Sequence, residues 1–221
     1  MKTPIRRETL RQHLTYSWWK YALMIIFGAI AVNIYFTVST YQPPEDKKVD
    51  VYVYGYGDEQ EFNRYMAEVQ KEQMPDMEEM RCVLMTTDAT YGPMQLSTYV
   101  GAGEGDLYIL PRDQFVSMAA SGAWIELEDR EELVSLFTDR DISLQSGFRR
   151  NGETQESHLY GIPLSQLPGL NRYVYVENGY ICALVTGRND ENTLKFLRIL
   201  CEDMMDEPEP AAVTEETLTG N

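Results

Sequence analysis

Histidine and cysteine are scarce in this chain: two and three among 221 residues. The cysteines, Cys82, Cys182 and Cys201, are odd in number and show no C-x-x-C spacing, so neither a disulfide framework nor a thiolate metal knuckle can be written. Cys82 and Cys182 sit inside apolar runs and read as small buried hydrophobes. A Cys182–Cys201 disulfide is geometrically possible in an extracytoplasmic domain and stays open. His13 lies in a basic N-terminal arm, which leaves His158 alone, and no zinc-type ligand set can be assembled around it. No G-x-S-x-G elbow, H-E-x-x-H pair or Cys/His nucleophile pair occurs. The expectation is therefore no catalytic residues, no metal, no cofactor and no enzyme.

Positive charge is also missing from most of the chain. There are 19 basic and 35 acidic residues in all, a net charge of −16. Beyond residue 20 the balance is 14 basic against 34 acidic, about −20. Such a surface repels phosphate backbones and anionic headgroups, which excludes nucleic acid as a partner.

What the chain has in quantity is an uninterrupted apolar run. Tyr21 to Val38 contains no formal charge, and only Asn33 and Thr37 are clearly polar. As a helix these residues reach roughly 27 Å, close to the ~30 Å hydrocarbon core of a bilayer. Lys2, Arg6, Arg7, Arg11 and Lys20 precede the run; Lys47 and Lys48 follow it among acids. That asymmetry predicts a cytoplasmic N-terminus and an extracytoplasmic C-terminal domain in the cell membrane, with the bilayer as partner through residues 21–40. Trp18, Trp19 and Tyr21 at one end and Tyr35 and Tyr41 at the other suit the headgroup zones. A cleaved signal peptide is the competing reading; its apolar region is shorter, about 7–15 residues, and Val38-Ser39-Thr40 makes a poor cleavage site.

The expected organisation is a basic cytoplasmic arm over residues 1–20, a transmembrane helix over 21–40, a linker over 41–48, an extracytoplasmic α/β domain over 49–206 and a disordered acidic tail over 207–221. Within the domain, Val49–Tyr54 alternates valine and tyrosine and reads as a strand. Asp58 caps a helix running to about Gln73. A second strand spans Arg81–Thr86, a helix Met94–Val100, a third strand Asp106–Pro111 and a helix Asp113–Ala120. Trp124–Leu127 is extended, and Glu131–Phe137 makes a turn or two of helix. Residues 138–158 carry no pattern, and 159–164 is briefly extended. Arg172–Glu177 and Tyr180–Thr186 read as two strands of a hairpin joined at Asn178-Gly179, a sequence suited to a type I′ turn. Asn189 or Asp190 starts a final helix. The alternation predicts an α/β, three-layer fold with a mostly parallel sheet and one antiparallel hairpin.

Two glycine- and acid-rich stretches invite chemistry. Gly101-x-Gly-x-Gly105 follows a helix and opens a strand, the reverse of a dinucleotide fingerprint, so it reads as a helix stop. Glu126, Glu128, Asp129, Glu131 and Glu132 read as a solvated acidic run. In open α/β sheets, ligands sit beyond the carboxyl ends of the strands. Those ends supply Tyr54, Tyr56 and Asp58, then Thr87, Asp88 and Tyr91, then Arg112 and Asp113, with Tyr160 nearby. Rings that stack on C–H faces beside acids that accept from hydroxyls suit a sugar.

Val100 to Asp129, reading VGAGEGDLYILPRDQFVSMAASGAWIELED, carries a resemblance to the carbohydrate-type extracellular solute-binding proteins of bacterial ABC importers. Leu159-Tyr-Gly-Ile-Pro-Leu164 resembles that family's Tyr-Gly-Ile-Pro segment, and Tyr180–Thr186 its return into the first lobe. The resemblance implies one lobe of a two-lobed clamshell, because only about 15–20 residues separate segments between which a second lobe would have to fit. It further implies a small solute such as a carbohydrate, or an importer in the same membrane, as partner. The alternative is a tethered interaction module that docks another envelope protein without binding a ligand.

Overall fold

The computed structural model describes residues 7–39 and 43–206, with side chains described for 18–36 in the first stretch. These fall into two compact units, divided after Gln42. The first is one helix, α1 (Arg7–Ser39). It contains an apolar stretch, Trp18–Phe36, of mean hydropathy 1.5 and long enough to cross a membrane. The side chains there are exposed on every face; Trp18, Phe27 and Phe36 each show more than 60 % of their surface. A helix apolar all round has no polar face for water, and its length and composition suit a membrane anchor or a signal sequence alike. The tail over 207–221 lies outside the described residues.

The second unit is built on a five-stranded sheet. Its strands are β1 (Lys48–Val53), β3 (Glu79–Leu84), β4 (Leu107–Pro111), β7 (Ile162–Pro163) and β9 (Gly179–Ala183), in the order β3-β1-β4-β9-β7. β1 runs parallel to both β3 and β4, whereas β9 is antiparallel to β4 and to β7. The fold is α/β, and the parallel part is the part whose strands alternate with helices in sequence.

Period-two alternation in the central strands assigns the two faces. Val49, Val51, Val53, Leu107, Ile109, Ile181 and Ala183 belong to one core. Tyr52, Tyr54, Tyr108, Leu110, Tyr180 and Cys182 belong to the other. The first core is covered by Phe62, Met66 and Val69 of α2 (Glu59–Glu72), Leu133 and Phe137 of α5 (Glu131–Thr138), and Phe196, Leu197 and Leu200 of α6 (Asp190–Met204). The second is covered by Leu96 of α3 (Tyr91–Ala102) and by Phe115 and Ala119 of α4 (Arg112–Ala120). Each fully buried valine, leucine or phenylalanine contributes about 1.5–3 kcal/mol, so both layers hold the sheet.

The helix ends follow their local chemistry. Asp58 accepts from the backbone N–H groups of Gln60 and Glu61, both at 3.0 Å, and caps α2. Gly103 takes a left-handed conformation (φ 67°) after α3, and its N–H meets the last carbonyls. Gly105 (φ 76°) then carries the chain so close under the Tyr52 ring that any side chain would collide. The G-x-G-x-G stretch is thus a helix stop and strand entry.

Three sequence expectations change. Arg172–Glu177 and Tyr180–Thr186 do not pair with one another. β8 (Val174–Tyr175) pairs instead with β2 (Tyr56–Gly57), through Tyr56↔Tyr175 and Gly57↔Val174. Asn178 does adopt a positive φ of 49°, but its turn sends the two flanking strands to different partners. Second, the unpatterned stretch 138–158 builds a real hairpin, β5 (Phe148–Arg150) with β6 (Ser157–Leu159). Third, a Cys182–Cys201 disulfide is precluded. All three cysteines are free and buried, with Cys182 under one face of the sheet and Cys201 under the other.

Candidate functional site

The helices after β1 and β4 leave on opposite faces of the sheet, α2 into one core and α4 into the other. Between two such strands the loops diverge and leave a crevice at their carboxyl ends. Here the crevice is an open cleft of about 510 Å³. It is lined by Tyr54 and Tyr56 after β1, Thr87 after β3, Pro111 at the end of β4 with Arg112 and Asp113 following it, and Tyr175 to Asn178 before β9. Its volume falls within the ~300–1,000 Å³ typical of small-molecule sites.

Backbone bonds fix these residues. Tyr54 donates its N–H to Ile109 O at 2.8 Å and Met85 donates to Val53 O at 2.8 Å, so the three loops start from a rigid sheet end. The β2–β8 ribbon then sets Tyr56 opposite Tyr175. Both rings are largely exposed. Thr87 donates from Oγ1 to the Tyr56 hydroxyl at 3.2 Å, joining the loop after β3 to this ribbon. Tyr54 is buried, and burial, with the nearby Asp88 charge, holds its phenol above the ordinary tyrosine range. It stays neutral and can donate. Arg112 beside Asp113 and Glu177 gives the cleft one cation and two acids, with rings alongside. That set can stack on an apolar face and exchange hydrogen bonds with hydroxyls.

Of the sequence-derived candidates, Tyr54, Tyr56, Thr87, Arg112 and Asp113 converge on this cleft. Asp58 is occupied as the α2 cap. Asp88 accepts from the N–H groups of Thr90 and Tyr91, both at 2.9 Å, and these bonds, Tyr91's first, hold its carboxyl below the usual range. Tyr91 lines a separate shallow depression with Met94, Gln95, Thr98 and Tyr99. Tyr160 is buried in the second core, where its hydroxyl accepts from Asn151 at 3.4 Å and donates to Glu126 at 3.5 Å. Sequence reasoning missed Tyr175, Glu177 and Asn178, because it paired their strand with β9 rather than with β2. The Asn-Gly dipeptide was the available signal, and it marked the turn without naming the partner strand.

A depression of about 730 Å³ lies between α5 and α6, lined by Glu131, Glu132, Glu191, Lys195 and Arg198 among others. Arg198 there pairs with Glu202 at 3.6 Å and with Glu132 at 3.9 Å, and no aromatic ring lines the depression. The strand-end cleft is the better-built site.

No family model matches the chain, and no curated protein matches it. Among solved structures, an extracellular solute-binding protein family 1 from Alicyclobacillus acidocaldarius subsp. acidocaldarius DSM 446 is similar, with a TM-score of 0.41 and 19% identity. The match covers 56% of this chain and 29% of that one, so the chain spans under a third of the length of that protein.

Proposed function

We propose that this chain is a membrane-tethered recognition module whose strand-end cleft binds a small, neutral, polyhydroxylated solute of the carbohydrate class. The carrying observation is the cleft itself. Five candidates drawn from three separate strand ends meet there, at the point where the connections diverge. Tyr56 and Tyr175 offer stacking surfaces, Asp113 and Glu177 offer acceptors, and Arg112 offers donors. With two acids and one cation, the cleft disfavours an anionic ligand. The reading is one of binding, and no reaction is assigned to the chain. Trp18–Phe36 anchors the domain, with the N-terminus in the cytoplasm and the domain outside; protease added to intact cells should then remove the domain, and protection until the cells are opened would overturn that orientation.

The test of binding is a thermal-shift screen of the full chain in detergent against mono- and oligosaccharides. A stabilising sugar whose effect is reduced in Tyr56→Ala and Asp113→Asn supports the reading. A panel without a single stabilising sugar sinks it. A second reading, a tethered module that docks an envelope protein or importer subunit, is favoured by the exposure of Tyr56, Tyr91, Met94 and Tyr175. Crosslinking in native membranes from residues 56 and 175 distinguishes the two: a reproducible protein adduct with no sugar response selects the second.

A further inference from the structure

The acidic stretch after Trp124 is better organised than a solvated run. Leu127 donates its N–H to Leu159 O at 2.8 Å, which lays residues 126–128 alongside β6. Leu127 and Leu159 both point into the core. Alternation therefore turns Glu126, Glu128 and His158 outward together, although 30 residues of chain separate the last two. One ligand atom from each of the three lies within 4.8 Å of the others.

The spacing around the imidazole is specific. His158 Nε2 stands 3.5 Å from Glu126 Oε1 and 3.5 Å from Glu156 Oε2. Donors each about 2.1 Å from a tetrahedral ion stand roughly 3.4 Å apart, so each separation is close to one edge of a zinc coordination polyhedron. The other ring nitrogen, Nδ1, contacts Glu128 Oε1. Glu128 is itself held by the Leu159 N–H at 2.9 Å on its second oxygen. A carboxylate on the far nitrogen is the usual support of a metal-bound histidine, since it fixes the tautomer that leaves Nε2 free to ligate.

Charge points the same way. Among the described residues, the ion pairs of Glu126, Glu128 and Glu156 are all with His158. Arg149 lies opposite His158 in the β5–β6 register, yet its guanidinium sits over the rings of Phe115 and Tyr180, at 5.3 and 5.5 Å. Three carboxylates thus share one imidazole, and even a protonated ring leaves them two negative charges in excess. A divalent cation would balance them.

We propose that Glu126, His158 and Glu156 form a binding site for a divalent transition ion of the zinc type, with Glu128 as the positioning residue behind the imidazole. The mixed nitrogen and oxygen donor set suits zinc and excludes the all-oxygen preference of calcium and magnesium. Glu156 is exposed and completes the set by a side-chain rotation; a water takes the fourth position. The ion would clamp the β5–β6 hairpin to the segment beside it. This inference does not depend on the strand-end cleft.

The test is isothermal titration of zinc chloride into the chelator-stripped full chain in detergent, with magnesium and calcium chloride as controls. One zinc per chain is expected. His158→Ala should weaken zinc binding about a hundredfold and Glu128→Gln about tenfold, with His13→Ala unchanged. Glu156→Gln, at an exposed position that folding does not need, should also weaken it about tenfold or more. Absence of stoichiometric uptake would reduce the cluster to an ion-paired histidine. Uptake that persists in both His158→Ala and Glu156→Gln would place zinc elsewhere, and calcium binding as tight as zinc would mark a general acidic surface; each overturns the proposal.

Discussion

The two ends of the sheet answer the same problem, polar groups at strand termini, in opposite ways. At the amino end the groups are matched. Asp50 and Arg81 are register partners on β1 and β3, and Arg81 donates from Nε and Nη2 to the two Asp50 oxygens at 2.7 and 3.2 Å. Asp106, just before β4, accepts from the Asp50 N–H at 2.8 Å and returns its own N–H to Asp50 O at 2.9 Å. Asp50 and Asp106 are both buried and satisfied. At the carboxyl end the loops diverge, and Arg112, Asp113 and Glu177 stand around an open cleft. In-register strands consume their polar groups, and diverging loops leave theirs available for a ligand.

Asp50→Ala should break the closed end and have the largest effect. Arg81 is half exposed and keeps some hydration, so the loss should be about 2 kcal/mol of unfolding free energy, read by urea denaturation at pH 7. Asp106 sharpens the same end through pH. Burial, outweighing its bond from the Asp50 N–H, pushes its carboxyl up to about 6. The folded state then binds a proton that the unfolded state has already lost. Asp106 therefore adds stability below the ordinary carboxylate range, and that contribution fades as pH rises toward 6. Asp106→Asn should gain stability relative to the wild type between pH 4 and 6 in parallel melts; an unchanged difference across that window would contradict the burial argument.

At the open end the effects should fall on ligand rather than on fold. Tyr56→Ala should weaken sugar binding about tenfold, equivalent to about 1.4 kcal/mol, with little change in the melt of the free protein. Asp58→Ala removes the α2 cap and should cost about 1 kcal/mol of stability with no change in binding. Asp113→Asn should leave stability within about 0.5 kcal/mol. A large loss of stability there would mean that the carboxyl end is as closed as the amino end.

Most of the layer structure was legible in the sequence. Valine–tyrosine alternation in Val49–Tyr54 and the mixed apolar runs at 106–111 and 180–186 specify strands buried on both faces, and Asp58, Gly103 and Gly122 punctuate the helices. Boundaries moved by a few residues, as β3 at Glu79–Leu84 and α3 at Tyr91–Ala102 illustrate. About half of the cleft was legible, because strand-end residues follow from knowing which segments are parallel strands. The Tyr175–Asn178 wall was not, since two-residue ribbons such as β2–β8 carry no periodic signal. The Glu126–Glu128–His158 cluster was equally hidden. A lone histidine acquires carboxylate neighbours only when a distant extended segment is laid beside it.

The sequence by itself determined the apolar span, the two-faced central strands, the helix stops and the acidic surface, because each depends on residues a few positions apart in the chain. Only the tertiary structure decided that the segment after Arg172 pairs with Tyr56–Gly57, that Cys182 and Cys201 lie under opposite faces, and that three glutamates surround His158. Those outcomes depend on which distant strands share backbone hydrogen bonds, and a strand's side-chain pattern specifies its faces while leaving its neighbour unnamed.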